Sequence, residues 1–267
     1  MLEELRVKPG QKARLHERDP RATLGLPEKD LTKAALPGLH ERLFKLQARF
    51  RAEEKHGLLV ILQAIDAGGK DGTIRSVFTG VNPQGVRVVS WKVPNDVEQA
   101  HDYLWRIHTQ TPAKGEMVIF NRSHYEDVLV VRVNQLVPES RWRKRYRHIN
   151  EFERMLTDEG TVIVKIHLQI SKDEQRQRFE ERLADPMKRW KFRRADLETR
   201  AHWDDYMAAY EDALTETSTA WAPWYVVPGD REWVRNTAVA QLLIRTIEDL
   251  KPAFPPGEPG LENLQII

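Results

Sequence analysis

Five short apolar runs set the limits on how this chain can fold: 58–62, 86–91, 117–120, 162–170 and a shorter one at 224–227. The first is continuous rather than alternating, the pattern of a strand covered on both faces, and the others are read as strands of the same kind. Helical stretches such as 96–108 and 173–184 lie between them. Strands that alternate with helices predict an α/β protein with a parallel sheet. Ahead of the first run, Leu36, Leu39, Leu43, Leu46 and Phe50 recur at helical spacing. They form one apolar face. Glu41, Arg42, Arg49 and Lys55 lie opposite, and Gly57 is a credible stop. Residues 1–34 are polar, broken by Pro and Gly, and read as an irregular arm. The domain then covers 35–250, and a Pro-rich tail at 251–267 runs over the surface. The chain has 267 residues, enough for one large domain or two small ones.

The first run opens into Gln63-Ala-Ile-Asp66-Ala67-Gly68-Gly69-Lys70-Asp71-Gly72-Thr73. A strand, a glycine loop and a helix in that order make a phosphate cradle of the Walker A type, whose pattern is G-x-x-x-x-G-K-[ST]. Gly69-Lys70 fit it, Ala64 replaces the first Gly and Asp71 replaces the Ser/Thr. The physics survives these changes. Glycines let backbone N–H groups face a phosphate, the helix points its N-terminus there, and Lys70 supplies a cation. Asp66 is the unexpected residue. A carboxylate inside a phosphate cradle repels its ligand unless a metal lies between them or it takes a proton, and both roles belong to phosphoryl transfer. The bland alternative is a solvent-facing turn.

The third run ends in Asn121-Arg122-Ser-His124-Tyr125-Glu126-Asp127. Ligands of open α/β sheets bind beyond the carboxyl ends of strands. At this Walker B position Arg122 suits a bidentate phosphate contact. Glu126 and Asp127 suit Mg²⁺, directly or through water, or simply favour a helix N-terminus. A lone His such as His124 is more often a packing residue than a catalyst. Further on, Lys188, Arg189, Lys191, Arg193 and Arg194 place five cations in seven residues. This suits a basic lid that closes over phosphates. The alternative is a solvated helix face with Trp190 and Phe192 pinned to the core. A second cluster, 141–147, is a candidate path for an extended polyanion or a charged helix face.

The chain resembles the polyphosphate kinase 2 family. The motifs that carry this are D-A-G-G-K-D-G-T (66–73), F-N-R-S-H-Y-E-D (120–127), I-N-E-F-E (149–153), D-P-M-K-R-W-K (185–191), H-W-D-D-Y (202–206) and T-S-T-A-W-A-P-W-Y-V-V-P (217–228). They occur in family order. The resemblance implies a three-layer P-loop kinase fold of the thymidylate-kinase type, with a helical lid at about 176–200. It implies Mg²⁺-dependent phosphoryl transfer, with Mn²⁺ as an alternative ion, between inorganic polyphosphate and nucleotides. Asp66, Lys70, Arg122 and Asp127 are the catalytic candidates, and Asp66 and Asp127 the metal candidates. The phosphate contacts are Ala67, Gly68, Gly69, Lys70, Asp71, Gly72, Thr73, Lys92, Arg122, Lys188, Arg193 and Arg194. Asn121 and Glu126 are the nucleotide contacts. Many members carry Asp where Asn121 stands, which weakens metal binding there. The set Asn121, Glu126, Asp127 looks most like the subgroup that phosphorylates nucleoside mono- and diphosphates. Family members are commonly dimers or tetramers, so a homo-oligomer is expected.

Composition narrows the rest. There is no Cys, hence no disulfide, thiolate nucleophile or Cys-bound metal. Lys+Arg is 42 against Asp+Glu 40, a net charge of +2. That argues against a general nucleic-acid coat while allowing a local basic groove. No apolar run approaches the roughly 18 residues of a membrane span, and the N-terminus lacks a secretory apolar stretch. The expected setting is cytoplasmic. Two rival functions share these motifs: a nucleotide kinase with ATP as donor, and a non-catalytic polyphosphate-binding module.

Overall fold

The computed structural model describes residues 1–261; the end of the expected tail, 262–267, lies outside the described residues. All five apolar runs are strands: β1 Gly57–Gln63, β2 Val86–Ser90, β3 Met117–Asn121, β4 Thr161–Gln169 and β5 Trp224–Pro228. They form one parallel sheet in the order β2-β3-β1-β4-β5. Every residue of β1 is buried, because β1 is central and covered on both faces.

The strand period divides the core into two layers. Leu59 and Ile61 face one apolar cluster, with the helices Glu139–Asp158 and Trp203–Thr217 against it. Leu58, Val60 and Leu62 face the other, with the helices Lys29–Glu53, Lys70–Val77 and Glu232–Asp249. Successive strand side chains point to opposite faces, so one apolar run feeds both layers. Helix, sheet and helix therefore stack as three layers, as expected.

The chain runs from β1 to the far edge at β2, returns through β3, then crosses to β4 and β5. The carboxyl ends of β1 and β3 thus lie beside each other where the winding reverses. That is where open α/β sheets bind ligands.

Three elements differ from the sequence expectations. The helix expected from Leu36 starts at Lys29 and carries Pro37 inside it, so the arm boundary at 34 falls within the helix. Leu43, Leu46 and Phe50 are buried, while Leu36 and Leu39 are half-buried. The expected helix 96–108 is instead two single turns, Asp96–Gln99 and Trp105–His108. Asn95 and Glu98 cap the first reciprocally. The Asp102 carboxylate accepts the N–H groups of Leu104 and Trp105 at 2.9 and 3.1 Å and starts the second. Short polar side chains compete with the helix for its own donors in this way. The N-terminal arm is irregular but packed. Leu5, Val7 and Leu15 are buried, and Arg6 bridges Tyr225 at the open edge of β5. The arm covers an edge that would otherwise expose unpaired backbone groups.

Candidate active site

Residues 64–69 turn sharply out of β1 into the helix Lys70–Val77. The turn needs its glycines. A Cβ on Gly68 would overlap that of Ala64 and stand 2.8 Å from the Ile65 carbonyl. Gly69 has φ 97°, the left-handed region where side chains are strained. Among the described residues, the N–H groups of Gly69, Lys70, Asp71 and Gly72 have no hydrogen-bond acceptor. Free donors at a helix N-terminus are an anion site. Lys70 is buried and donates to the Ala64 carbonyl at 2.8 Å. Burial, with Arg122 adding to it, pulls its ammonium from the ordinary 10.5 to about 8.

β3 delivers the second half. Asn121 is in register with Leu62, and the N–H of Arg122 donates to the Leu62 carbonyl at 3.1 Å. Arg122 itself has φ 65°. Its Nη2 donates to Asp66 Oδ1 at 2.5 Å and its Nη1 to Glu126 Oε2 at 3.1 Å. Glu126 and then Asp66 hold the guanidinium well above its ordinary pKa against the opposing effect of burial. Asn121 Nδ2 donates to Asp71 Oδ1 at 2.7 Å, which ties the strand end to the loop helix.

The structure brings Asp66, Lys70, Arg122 and Glu126 together; Asp127 faces elsewhere. Its carboxylate and carbonyl both accept Arg145 Nη1 at 2.9 Å. Burial raises the Asp127 pKa, with Arg145 opposing. His124 and Tyr125 are fully buried. Tyr125 donates to Glu153 at 2.8 Å, and Glu153 pairs with Lys165 at 2.6 Å. The His and Tyr thus build the floor that fixes the 121–127 turn.

A cavity of about 240 Å³ opens over these groups, lined among others by Asp66, Arg122, Glu126, Arg193, Tyr206 and Tyr210. Burial, with Glu126 adding to it, pushes the Tyr210 hydroxyl well above its ordinary pKa, so it stays a neutral hydrogen-bonding group. Of the lid cations, Arg193 reaches this cavity. Lys188 pairs with Asp185 at 3.0 Å, and Arg194 and Lys92 are exposed. The basic stretch is a single 3-10 turn, Arg189–Lys191, followed by the helix Arg194–Ala201. Phe192 packs edge-on against Phe179, whereas Trp190 is 75% exposed.

Sequence reasoning missed two arginines behind the loop. Arg178 donates to the carbonyls of Ala67 and Gly229 at 2.9 and 2.6 Å. Arg235 lies buried against Gly69. Arg178 carried a faint signal as a cation at the start of the expected lid, ahead of the basic stretch; Arg235, inside an ordinary amphipathic helix, carried none. Tyr210 sits one turn beyond Tyr206 of the H-W-D-D-Y motif, so it was within reach of helical spacing.

Order of strands, glycine loop, free loop amides and paired carboxylates around an arginine together define a P-loop kinase-type phosphotransferase. The model of the family described as Polyphosphate kinase 2 (PPK2) matches residues 27–255. An AMP/ADP-polyphosphate phosphotransferase of Meiothermus ruber is 57% identical over 99% of this chain and 100% of its own length. An ADP-polyphosphate phosphotransferase of Rhodopseudomonas palustris is 47% identical over 82% of this chain and 80% of its own. The crystal structure of polyphosphate kinase 2 from Arthrobacter aurescens TC1 superimposes with TM-score 0.94 at 44% identity, covering 98% of this chain and 93% of that one. This chain belongs to the polyphosphate kinase 2 family.

Proposed function

We propose that this enzyme moves a phosphoryl group reversibly between inorganic polyphosphate and nucleotides, and that it accepts both AMP and ADP. One observation carries the reading: Arg122 stands between Asp66 and Glu126 beside a loop of free N–H donors. A simple phosphate-binding module gains nothing from two carboxylates there, whereas phosphoryl transfer uses both signs of charge. The 57% identical relative, named for AMP and ADP, supports the dual acceptor.

The loop amides and Lys70 bind phosphoryl oxygens. The two guanidinium arms of Arg122 are a fork for the transferring group. The Asp66 carboxylate orients, or takes a proton from, the attacking phosphate oxygen. Arg193 approaches from the lid side, and the Tyr206 and Tyr210 rings limit water. Catalysis is positioning plus charge neutralisation, with no covalent enzyme intermediate.

A divalent cation fits the donor chemistry. Mg²⁺ takes oxygen ligands, commonly one or two carboxylates with substrate phosphates supplying the rest. Asp66 and Glu126 are such a pair, and no cluster of three metal-ligating side chains occurs among the described residues. These two residues would hold Mg²⁺ or Mn²⁺, which when bound neutralises charge on the phosphoryl oxygens. Asp127, read from the sequence as a second ligand, pairs with Arg145 and does not line the cavity that Asp66 and Glu126 share.

The test is ATP formation from AMP and, separately, from ADP, with Mg²⁺ and polyphosphate as the sole donor and the AMP free of ADP. Product from both is expected. Product from ADP alone would remove the dual acceptor. Binding of polyphosphate without turnover would favour the binding module, and transfer that needs ATP as donor would favour an ordinary nucleotide kinase. Light scattering on the same sample tests the expected homo-oligomer.

A further inference from the structure

The guanidinium of Arg235 is among the largest fully buried side chains. Its surroundings are unusual for a buried cation. Nε donates to Asn236 Oδ1 at 3.2 Å and Nη2 reaches Glu232 Oε1 at 3.4 Å, but Glu232 is mostly exposed. Nη1 has no hydrogen-bond partner among the described residues. A Cβ on Gly69 would overlap that Nη1 and stand 2.8 Å from Cζ, and one on Gly72 would stand 3.3 Å from Nη2. The glycine loop is therefore wrapped around this guanidinium, with only backbone between it and the phosphate side.

Cations crowd it, with the exposed Glu232 and the Arg178-paired Glu174 as the nearby acids. Arg178 lies close enough that its Nη1 is 3.4 Å from the same Gly69 position. Lys70 begins the helix Lys70–Val77, whose N-terminus is itself the positive end of the helix dipole. A buried, partly unpaired cation at the positive end of a helix destabilises the protein when no anion is present. Burial and Arg178 pull the Arg235 pKa down to about 10, which expresses that cost. A polyanion on the far side of the loop reverses the balance, since opposite charges attract strongly across a few ångströms of low-dielectric backbone.

We propose that Arg235 is a positioning residue for the phosphoryl chain. It supplies a fixed positive charge from behind Gly69 and holds the loop turned so that its free amides face the substrate. This rests on the proposed polyphosphate reading and deepens it: the glycine loop alone is not the whole anion site, and its affinity depends on a cation that never touches the ligand.

The test uses the full chain and inorganic tripolyphosphate as probe, with binding measured by calorimetry and turnover measured with long-chain polyphosphate. Arg235→Gln removes the charge and keeps much of the volume. The expected result is about a tenfold loss of tripolyphosphate affinity, a similar rise in KM for polyphosphate, an unchanged KM for ADP and a melting temperature without ligand no lower than that of wild type. Arg235→Lys is expected to bind within about threefold of wild type at pH 7. A merely structural residue would disturb both substrates and the melting temperature together. Wild-type affinity in Arg235→Gln, with wild-type turnover intact, overturns the proposal alone. If wild type neither binds tripolyphosphate nor turns polyphosphate over, the polyphosphate reading and this one fall together. Should Arg235→Gln not fold, Arg235→Lys decides. A lysine buried beside Arg178 and Lys70, with Glu174 and Glu232 as the nearby acids, releases its proton below the ordinary lysine range. Its affinity relative to wild type must then fall as the pH is raised toward that range, and a constant ratio overturns the proposal.

Discussion

Arg122 combines a left-handed backbone, φ 65°, with two carboxylate partners. That conformation costs an ordinary residue about 1 kcal/mol, and it aims the guanidinium fork between Asp66 and Glu126. Lysine keeps the charge but not the fork. Arg122→Lys is therefore expected to lose about 100-fold or more of transfer with an unchanged melting temperature, in steady-state assays beside thermal unfolding. Asp66→Asn and Lys70→Ala are expected to abolish most transfer with the fold intact. Lys70 adds a pH signature. Its pKa is about 8 in the folded chain against an ordinary 10.5. Below about pH 8 both states hold the proton and the buried ammonium costs stability. Between about pH 8 and 10.5 the unfolded chain keeps a proton that the folded chain has released, so stability rises with pH. Lys70→Met should be more stable than wild type by up to about 3 kcal/mol at pH 7, with the gap closing by pH 10 in urea titrations. Asp66, Lys70 and Arg122 were legible because residue type at a strand end reports chemistry. The choice between Glu126 and Asp127 was not. Neighbours on a 3-10 turn point about 120° apart, and the Arg145 side chain, 18 residues further along the chain, shows which one turns inward.

The 121–127 turn keeps its shape through a buried network. Lys165 Nζ donates to Glu153 at 2.6 Å, to the Tyr125 hydroxyl at 2.9 Å and to the Thr217 carbonyl at 2.6 Å. Both ionic partners are fully buried. Removing one leaves the other as an uncompensated charge, at a cost of about 3–5 kcal/mol. Lys165→Met is expected to lose that much in urea unfolding, and adding Glu153→Gln to recover part of it. The recovery separates charge burial from lost packing. Five of the six sequence motifs, at 66–73, 120–127, 149–153, 202–206 and 217–228, contribute to this network or to the cavity above it. What looked like separate signatures is one support. The central strands β1 and β3 were legible as elements because a strand covered on both faces is nearly continuous in apolar residues, whereas β4 carries the buried Lys165 and His167 within its run. The segment 96–108 was not, because apolar spacing does not register an Asp102 that captures two backbone donors. The early start of the helix Lys29–Glu53 was hidden by Pro37, which sits on an exposed stretch of that helix where the lost hydrogen bond is tolerated.

At the scale of the molecule, the charge of +2 conceals a local concentration of charge. Lys70, Arg122, Arg178, Arg193 and Arg235 gather around one end of the sheet, among Asp66, Asp71, Glu126, Glu174, Asp196 and Glu232. The basic segment 188–194 stands beside this end with little to hold it. Met187 is 82% exposed, and Trp190 anchors itself only to the Met187 carbonyl and under Lys191. The Lys188–Asp185 pair is solvent-exposed, so it contributes little. A loosely held segment of five cations has far more to gain from a polyanion than from its present contacts. Its closure is the step that would remove water from the transferring group. Trypsin cuts after lysine and arginine, so this segment is its natural target while open. With polyphosphate and ADP together, cleavage at 188–194 is expected to slow about tenfold or more, while cuts in the arm continue at their former rate. The triple variant Lys188→Ala, Arg193→Ala, Arg194→Ala should lose transfer by about 10- to 100-fold, mostly in kcat. Unchanged cleavage in the presence of both substrates, read by mass spectrometry of the fragments, would remove the lid from the scheme and leave the loop, Arg122 and the two carboxylates to act on an open site.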